Sequence, residues 1–211
     1  MGWTVGSKPD NVMEWVRKQY AATSEVEQIS QRCLDAAMVN MREIYVAVEQ
    51  RDKYGITTVT ADVIVIQFTN EKDEGFNYPQ MGYKAVTENA GPNETNCPER
   101  ILKLLTPTEN KWANEWREKC RATLERRKSA KNLQVGDYIQ FETPIHFSNQ
   151  DPCDIFKIEN GFNGKKRLTA VSSTTGERMF MAKIPGWRSK YAFKKLDEAD
   201  FPWEQSNGMR P

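Results

Sequence analysis

A corner between two helices, centred on Thr106 and Pro107, constrains the fold of this 211-residue chain more than any other feature. Pro98 is suited to begin a short helix just before it. The apolar face of that short helix consists of Ile101, Leu102, Leu104 and Leu105. Thr106 then acts as the cap of the next helix, Pro107 fits its first position, and Glu109 completes a capping box. The pattern therefore predicts two consecutive helices that meet at an angle.

The second helix of this corner is predicted to run from about 107 to 128. Its buried stripe is predicted from residues spaced by four: Trp112, Trp116, Cys120 and Leu124. Tryptophans at this spacing are more typical of a core than of a base-stacking surface. With the basic residues that follow it, the helix forms a connector over 107–131. It separates an amino-terminal region, 1–106, from a carboxy-terminal region, 132–200, and a tail over 201–211 follows.

The amino-terminal region contains a predicted amphipathic helix and two clear strands. The helix covers about 9–21, where apolar residues recur every three or four positions: Val12, Trp15, Val16 and Tyr20. The strands cover 44–48 and 61–68, which are rich in β-branched and aromatic residues. The second of them is apolar almost throughout, which indicates a central strand covered on both faces.

Two interpretations stay open for residues 24–38. Ser24 and Glu27 have the spacing of a capping box, which favours a helix over the whole segment. Alternatively, residues 31–39 form the first arm of a hairpin whose second arm is 43–50. Periodicity alone does not separate a short buried helix from a strand here.

The chain beyond residue 132 reads as strand throughout. Five short segments of alternating character are separated by glycine-containing turns such as Asn160-Gly161 and Thr175-Gly176. Five strands in about sixty residues predict a small, strongly curved antiparallel barrel. The predicted fold class is therefore α+β, with amino-terminal helices on a small sheet, the connector helix, and a carboxy-terminal small antiparallel β-barrel.

Residue usage argues against most metal and redox chemistry. His146 is the only histidine, and Cys33, Cys97, Cys120 and Cys153 are far apart in sequence. Multi-histidine metal sites are excluded, and no two ligands come from one tight turn, as zinc sites usually require. We interpret the cysteines as scattered thiols that act as small buried hydrophobic residues. The alternative is a zinc site made of Cys97, Cys120, Cys153 and His146. We predict no metal and no cofactor.

No segment predicts a membrane association. The longest apolar runs fall well short of the ~20 residues that span a bilayer, and the first residues lack the basic-then-apolar pattern of a secretory signal. We therefore expect a cytoplasmic protein with no membrane partner.

The charges are divided unevenly between the two halves of the chain. The whole chain has a net charge of +1. Residues 1–110 hold 11 basic and 16 acidic residues, which gives this segment a net charge of −5. Residues 155–195 hold ten basic residues against Glu159 and Glu177, a net charge of +8. A local excess of this size attracts phosphates or an acidic protein surface. A solvated surface balanced by the acidic residues of 197–204 is the alternative.

The central part of the chain holds a series of short motifs: Gly82-Tyr83-Lys84, Gly91-Pro92, Cys97-Pro98, Pro107-Thr108, Asn110 and Trp116-Arg117-Glu118-Lys119-Cys120. With these motifs the chain resembles a family of small accessory proteins carried by phages and integrative elements. Members commonly open with Met-Gly-Trp-Thr, as residues 1–4 do here. The resemblance implies an accessory role in a mobile element and no particular reaction. Positions where relatives carry Tyr-His and acidic residues hold Val5-Gly6, Ala85 and Thr87 here, which lowers the expectation of an enzyme.

Two functional hypotheses follow from the residues and the resemblance. In the first, the chain is a non-enzymatic binding protein that contacts nucleic acid or a host nucleic-acid-handling protein, and antagonism of a host defence system is one purpose for it. The predicted contact residues are Lys165, Lys166, Arg167, Trp187, Arg188, Lys190 and Tyr191. Trp187 and Tyr191 are expected to be exposed for base stacking, because Pro185-Gly186 places them on a loop. In the second, the chain is a small enzyme whose site between the two regions uses Glu88, Asp137 or His146.

Overall fold

A computed structural model of the protein describes residues 2–24, 29–69, 80–148, 150–161 and 164–203. The chain divides into two compact units, Met1–Ala122 and Thr123–Pro211, which we call the first unit and the second unit. The division falls inside the longest helix.

The first unit is built on a six-stranded antiparallel sheet. Its strands are β1 (Thr4–Ser7), β2 (Ala22–Ser24), β3 (Ile29–Val39), β4 (Glu43–Arg51), β5 (Thr57–Thr69) and β6 (Gln80–Thr87). They lie in the order β1-β6-β5-β4-β3-β2. β3 and β4 form the predicted hairpin, whose turn holds Asn40 and Met41 at positive φ. The helical interpretation of 24–38 is wrong over the described residues 29–38, because the apolar positions of this segment pair with β4.

Both faces of this sheet are covered, which explains why β4 and β5 are apolar almost throughout. Helix α1 (Val12–Gln19) packs Val16 and Tyr20 against one face of the sheet. Asn11 caps α1 by accepting a hydrogen bond from the Glu14 N–H at 3.1 Å. On the other face, the Tyr45 ring stacks against Trp116 with 6.5 Å between ring centroids. Residues of both parities along the central strands are therefore buried.

Two helices follow the sheet of the first unit, and the second one begins later than predicted. They are α2 (Glu99–Leu102) and α3 (Lys111–Asn132). Asn110, not Thr106, caps α3, because its Oδ1 accepts the Ala113 N–H at 3.0 Å. The Thr106 hydroxyl instead exchanges hydrogen bonds with the backbone of Val59 in β5. Trp112 is 59% exposed, so the predicted buried stripe begins only at Trp116.

The second unit is built on a five-stranded antiparallel sheet. Its elements are β7 (Tyr138–Phe147), β8 (Gln150–Asn160), β9 (Lys166–Val171), β10 (Arg178–Ala182), α4 (Trp187–Lys190) and β11 (Phe193–Leu196). The strand order is β10-β9-β8-β7-β11. In the described ranges β10 and β11 do not pair with each other, so the sheet is open. The predicted fold class is therefore wrong: antiparallel sheets dominate the protein, and the carboxy-terminal strands form no closed barrel.

The sheet of the second unit has two faces of different character. On the inner face, Phe141, Phe156 and Leu168 pack with Trp187 of α4 and with Leu133, which follows α3. The outer face carries a smaller apolar cluster at one end: Ile155, Val171, Leu196, Tyr138, Phe201 and Trp203. Elsewhere on the outer face, β8 and β9 present the polar and charged residues Lys157, Glu159, Arg167 and Thr169, because alternate residues point to opposite sides of the sheet.

Candidate functional site

The three consecutive basic residues predicted as contacts do not share one surface. Arg167 lies on the outer face, because it alternates with the inner-face residue Leu168. Lys166 lies on the inner side, where its ammonium donates a hydrogen bond to the Leu133 carbonyl. Lys165 is exposed just before β9. The strand alternation that builds the core therefore also separates these cations.

The other four predicted contacts belong to α4 and its end, on the inner side of the sheet. Trp187 is only 9% exposed and lies 6.4 Å from Phe141 between ring centroids, so the exposure expected of it is wrong. The Tyr191 ring is partly buried and lies 5.5 Å from that of Phe141. Arg188 and Lys190 are exposed, and the Arg188 guanidinium lies 5.1 Å from the centre of the Trp187 ring. The rings of Trp187 and Tyr191 therefore belong to the core on the inner face of the sheet and are not free for base stacking.

A shallow groove on the outer face brings a different set of charges together. We call it the outer-face groove. It has a volume of about 420 Å³, and its charged lining consists of Lys157, Glu159, Arg167 and Arg178. The pairing of neighbouring strands brings these residues together, because Glu159 lies opposite Arg167 and β10 continues the sheet beside β9. Three cations and one carboxylate give the groove a net charge of +2.

Glu159 lies at the centre of this cluster. Its Oε2 accepts a hydrogen bond from the Thr169 hydroxyl at 2.5 Å. The same oxygen lies 3.5 Å from Arg178 Nη2 and 3.6 Å from Arg167 Nη2. The Thr169 hydrogen bond lowers the pKa of Glu159, and the charges of Arg178, Arg167 and Lys157 lower it further against the opposing effect of burial. Glu159 is therefore an anion held among cations.

Arg167 has donors that the protein itself uses poorly. Its Nη1 contacts Met181 Sδ at 3.1 Å, and a thioether is a weak acceptor. Its Nε is buried and has no hydrogen-bond partner in the part of the chain that the structure describes. A buried donor without an acceptor is costly. An anion in the outer-face groove would give the Nη1 donor a stronger acceptor than the Met181 thioether.

Glu88 and Asp137, two of the three residues proposed for an enzymatic site, have structural roles. Glu88 is fully buried in the first unit, where it forms a bidentate ion pair with Arg117. Asp137 accepts the Gln134 N–H at 2.7 Å and pairs with Lys195 at 2.9 Å. Burial, the largest single influence, raises the pKa of Asp137, but these two contacts and the charges of Lys195 and Lys166 together lower it below its ordinary value. His146 is exposed at the far end of β7 from Asp137, so the two do not act on one substrate atom.

The four cysteines form no disulfide, although Cys97 and Cys120 are neighbours. Cys97, Cys120 and Cys153 are buried and Cys33 is partly buried, all of them free. A hydrogen bond with Cys120 and burial raise the pKa of Cys97, which keeps this thiol protonated. Over the described ranges, no group of three or more His, Cys, Asp or Glu side chains is placed to hold a metal ion. Likewise, none of the helices described is both long and apolar enough to cross a membrane.

Comparison with known proteins gives one match. A family model described as "Domain of unknown function (DUF6927)" matches residues 107–186. The matched segment runs from just before α3 to just before α4, so it includes Arg167 and Arg178 and leaves out Trp187. No curated protein and no solved structure matches the chain.

Arg167 is the one charged residue lining the outer-face groove that was a predicted contact; Lys157, Glu159 and Arg178, and Thr169 beside them, were not predicted. The signal that points to them is the period-two alternation of β8 and β9. Arg167 and Thr169 occupy one face of β9, and Lys157 and Glu159 occupy the same face of β8. Counting the charges of the segment does not show on which face of the sheet each cation lies. The alternation of residues along each strand divides these cations between the two faces.

Proposed function

We propose that the protein is a non-enzymatic binding protein whose second unit contacts the phosphate groups of nucleic acid through the outer-face groove. The observation that carries this proposal is the convergence of Arg167 and Arg178 on the single carboxylate of Glu159, with Lys157 in the same groove. Arginine is suited to this role because its planar fork of donors matches phosphate oxygens. The groove is open to solvent along the sheet, as a site that follows a phosphodiester backbone requires.

The chemistry of the groove favours phosphates over the acidic side chains of a protein partner. The Arg167 Nη1 donor has only a thioether as its acceptor, and Arg178 is exposed beside Arg167, so one phosphate can accept from both guanidinium groups. Few charges take part, and we therefore expect weak binding that depends on salt and not on base sequence. A host nucleic-acid-handling protein is the other expected class of partner, and the experiment below separates the two.

The biological setting of this binding is also a proposal. The resemblance to accessory proteins of phages and integrative elements supports a role in which the protein acts for a mobile element on nucleic acid in the host. Antagonism of a host defence system is consistent with that role. The family model that matches residues 107–186 has no described function and adds no support either way.

A titration of labelled oligonucleotides tests the proposal. Single- and double-stranded DNA are titrated with the full chain by fluorescence anisotropy at about 50 and 200 mM salt, over which phosphate-dominated binding weakens strongly. The double variant R167Q/R178Q is compared with R188Q/K190Q, which removes the same charge from exposed positions on the inner side of the sheet. We expect R167Q/R178Q to weaken binding at least about tenfold and R188Q/K190Q to change it less than about threefold.

Two results contradict the proposal. Absence of binding by the wild-type chain at low salt excludes nucleic acid and leaves the protein partner, to be sought by co-purification from the host. Equal weakening by the two double variants means that net charge, and not the outer-face groove, determines binding.

A further inference from the structure

The ion pairs in the outer-face groove differ from a tight structural pair in the same protein. Arg117 donates to both oxygens of Glu88 at 2.7 Å, and both side chains are buried. In the outer-face groove the distances from Glu159 Oε2 to the two arginines are 3.5 and 3.6 Å. Arg178 and Arg167 therefore attract Glu159 without donating hydrogen bonds of normal length to it.

Thr169, and not an arginine, holds the Glu159 carboxylate in place. Its hydroxyl donates to Oε2 at 2.5 Å, and the Thr169 side chain is fully buried, so the hydroxyl is fixed. The arginine donors consequently stay available while the carboxylate occupies the centre of the positive field. Arg178 remains 58% exposed despite its attraction to Glu159.

We infer that Glu159 is a built-in counter-anion that a ligand phosphate displaces, so the groove accepts a chain of phosphates and rejects single small anions. This inference rests on the proposed function and names the ligand class of the same site. A carboxylate held on the same chain competes intramolecularly, so a free anion has to overcome its effective concentration. A single phosphate gains only the two arginine contacts when it competes with that carboxylate. A phosphodiester chain can also contact Lys157, which lies two residues before Glu159 on the same face of β8, and its linked groups bind together.

The test compares two substitutions that remove one negative charge from the same strand. E159Q removes the proposed counter-anion and keeps an acceptor for Thr169, whereas D151N changes an exposed residue at the opposite end of β8. A labelled single-stranded oligonucleotide is titrated with each full-length variant, and inorganic phosphate is then added as a competitor. We expect E159Q to bind the oligonucleotide about tenfold more tightly than D151N does. We also expect phosphate to compete with E159Q at about tenfold lower concentration.

The outcomes separate this inference from the proposed function. If E159Q binds no more tightly than D151N, or more weakly, while R167Q/R178Q still loses affinity, Glu159 positions the arginines and the inference alone is overturned. If R167Q/R178Q binds as the wild type does, or no variant binds, both proposals are overturned. E159A serves as a second variant if E159Q shows a lowered unfolding midpoint, with the same expected increase in affinity.

Discussion

Arg117 and Glu88 form a bidentate ion pair inside the first unit, with both N–O distances at 2.7 Å and both side chains at most 6% exposed. The pair joins three parts of this unit. Glu88 Oε1 also accepts the Ala61 N–H of β5 at 3.2 Å, and Arg117 Nη1 donates to the Thr106 carbonyl at 2.7 Å. Helix α3 is thereby connected to the sheet and to the corner that precedes the helix.

Replacement of Arg117 by methionine is expected to destabilise the first unit strongly. The substitution leaves the Glu88 carboxylate buried without its cation, which typically costs about 3–5 kcal/mol of unfolding free energy. Urea denaturation of R117M against the wild type measures the loss.

The double variant E88Q/R117M provides the control for this prediction. It removes the buried charge as well, so we expect it to recover part of the stability lost in R117M, since the desolvated anion is the main cause of that loss. A double variant that is less stable than R117M would show that the Glu88 charge is held by other contacts.

Asp62 gives the first unit a predictable response to pH. Tyr20 donates its hydroxyl to Asp62 Oδ2 at 2.9 Å. Burial raises the pKa of Asp62, and this effect outweighs the hydrogen bonds from Tyr20 and Thr87, which lower it. The folded protein therefore holds the Asp62 proton more tightly than the unfolded chain, whose aspartate pKa is about 3.9.

The sign of the resulting pH dependence follows from this difference. The contribution of Asp62 to stability is fully present below the unfolded pKa and is lost as the pH rises through the raised folded pKa. We expect the unfolding free energy of the wild type minus that of D62N to fall as the pH rises from about 3.5 to 7. Urea denaturation of both proteins at each pH measures it, and a constant or rising difference contradicts the prediction. Y20F removes one hydrogen bond to the charged form of Asp62 and so raises the Asp62 pKa further. In the Y20F background, the Asp62 contribution to the unfolding free energy should therefore fall over a range that extends to higher pH.

Local patterns in the sequence predicted most of the strands but not how they assemble. The apolar, β-branched runs of β4 and β5 and the period-two alternation of β7–β11 are local patterns, and the structure has strands in those places. Whether five strands close into a barrel depends on the pairing of β10 with β11. These two edge strands are distant in the sheet, and no local pattern encodes their separation. The predicted fold class failed at this nonlocal step.

The sequence also did not show that the predicted contact residues lie on two faces of the sheet, for a related reason. The charge excess of 155–195 is visible in the sequence, but Arg167 and Arg188 lie on opposite sides of one sheet. The glycine before Trp187 indicated a loop and hence an exposed Trp187 side chain. The inner face of the sheet is apolar and has to be covered, and Trp187 of α4 covers part of it. The burial of a side chain next to a turn depends on what the rest of the chain leaves uncovered.

Trp187 is expected to act as a core residue and not as a base-stacking platform. Its ring lies 5.6 Å from Phe193 and 6.4 Å from Phe141 between ring centroids. W187A should therefore lower the unfolding free energy of the second unit by about 3–5 kcal/mol. R188A removes only an exposed cation–π contact and should cost less than about 1 kcal/mol. Urea denaturation followed by circular dichroism compares the two, and similar losses would mean that the tryptophan contributes little to the core.

Asn110 is expected to be the residue that caps the N-terminus of α3. Its Oδ1 accepts the Ala113 N–H, so N110A leaves a first-turn donor without its partner and should cost about 1 kcal/mol. N110D keeps a carboxylate oxygen in the same place and adds a charge that favours the positive end of the helix, so its stability should stay within about 0.5 kcal/mol of the wild type. Thermal and urea unfolding of both variants check the pair. If N110A is neutral and T106A lowers the helix content, the capping box predicted at Thr106 is the operative cap, and the assignment of Asn110 fails.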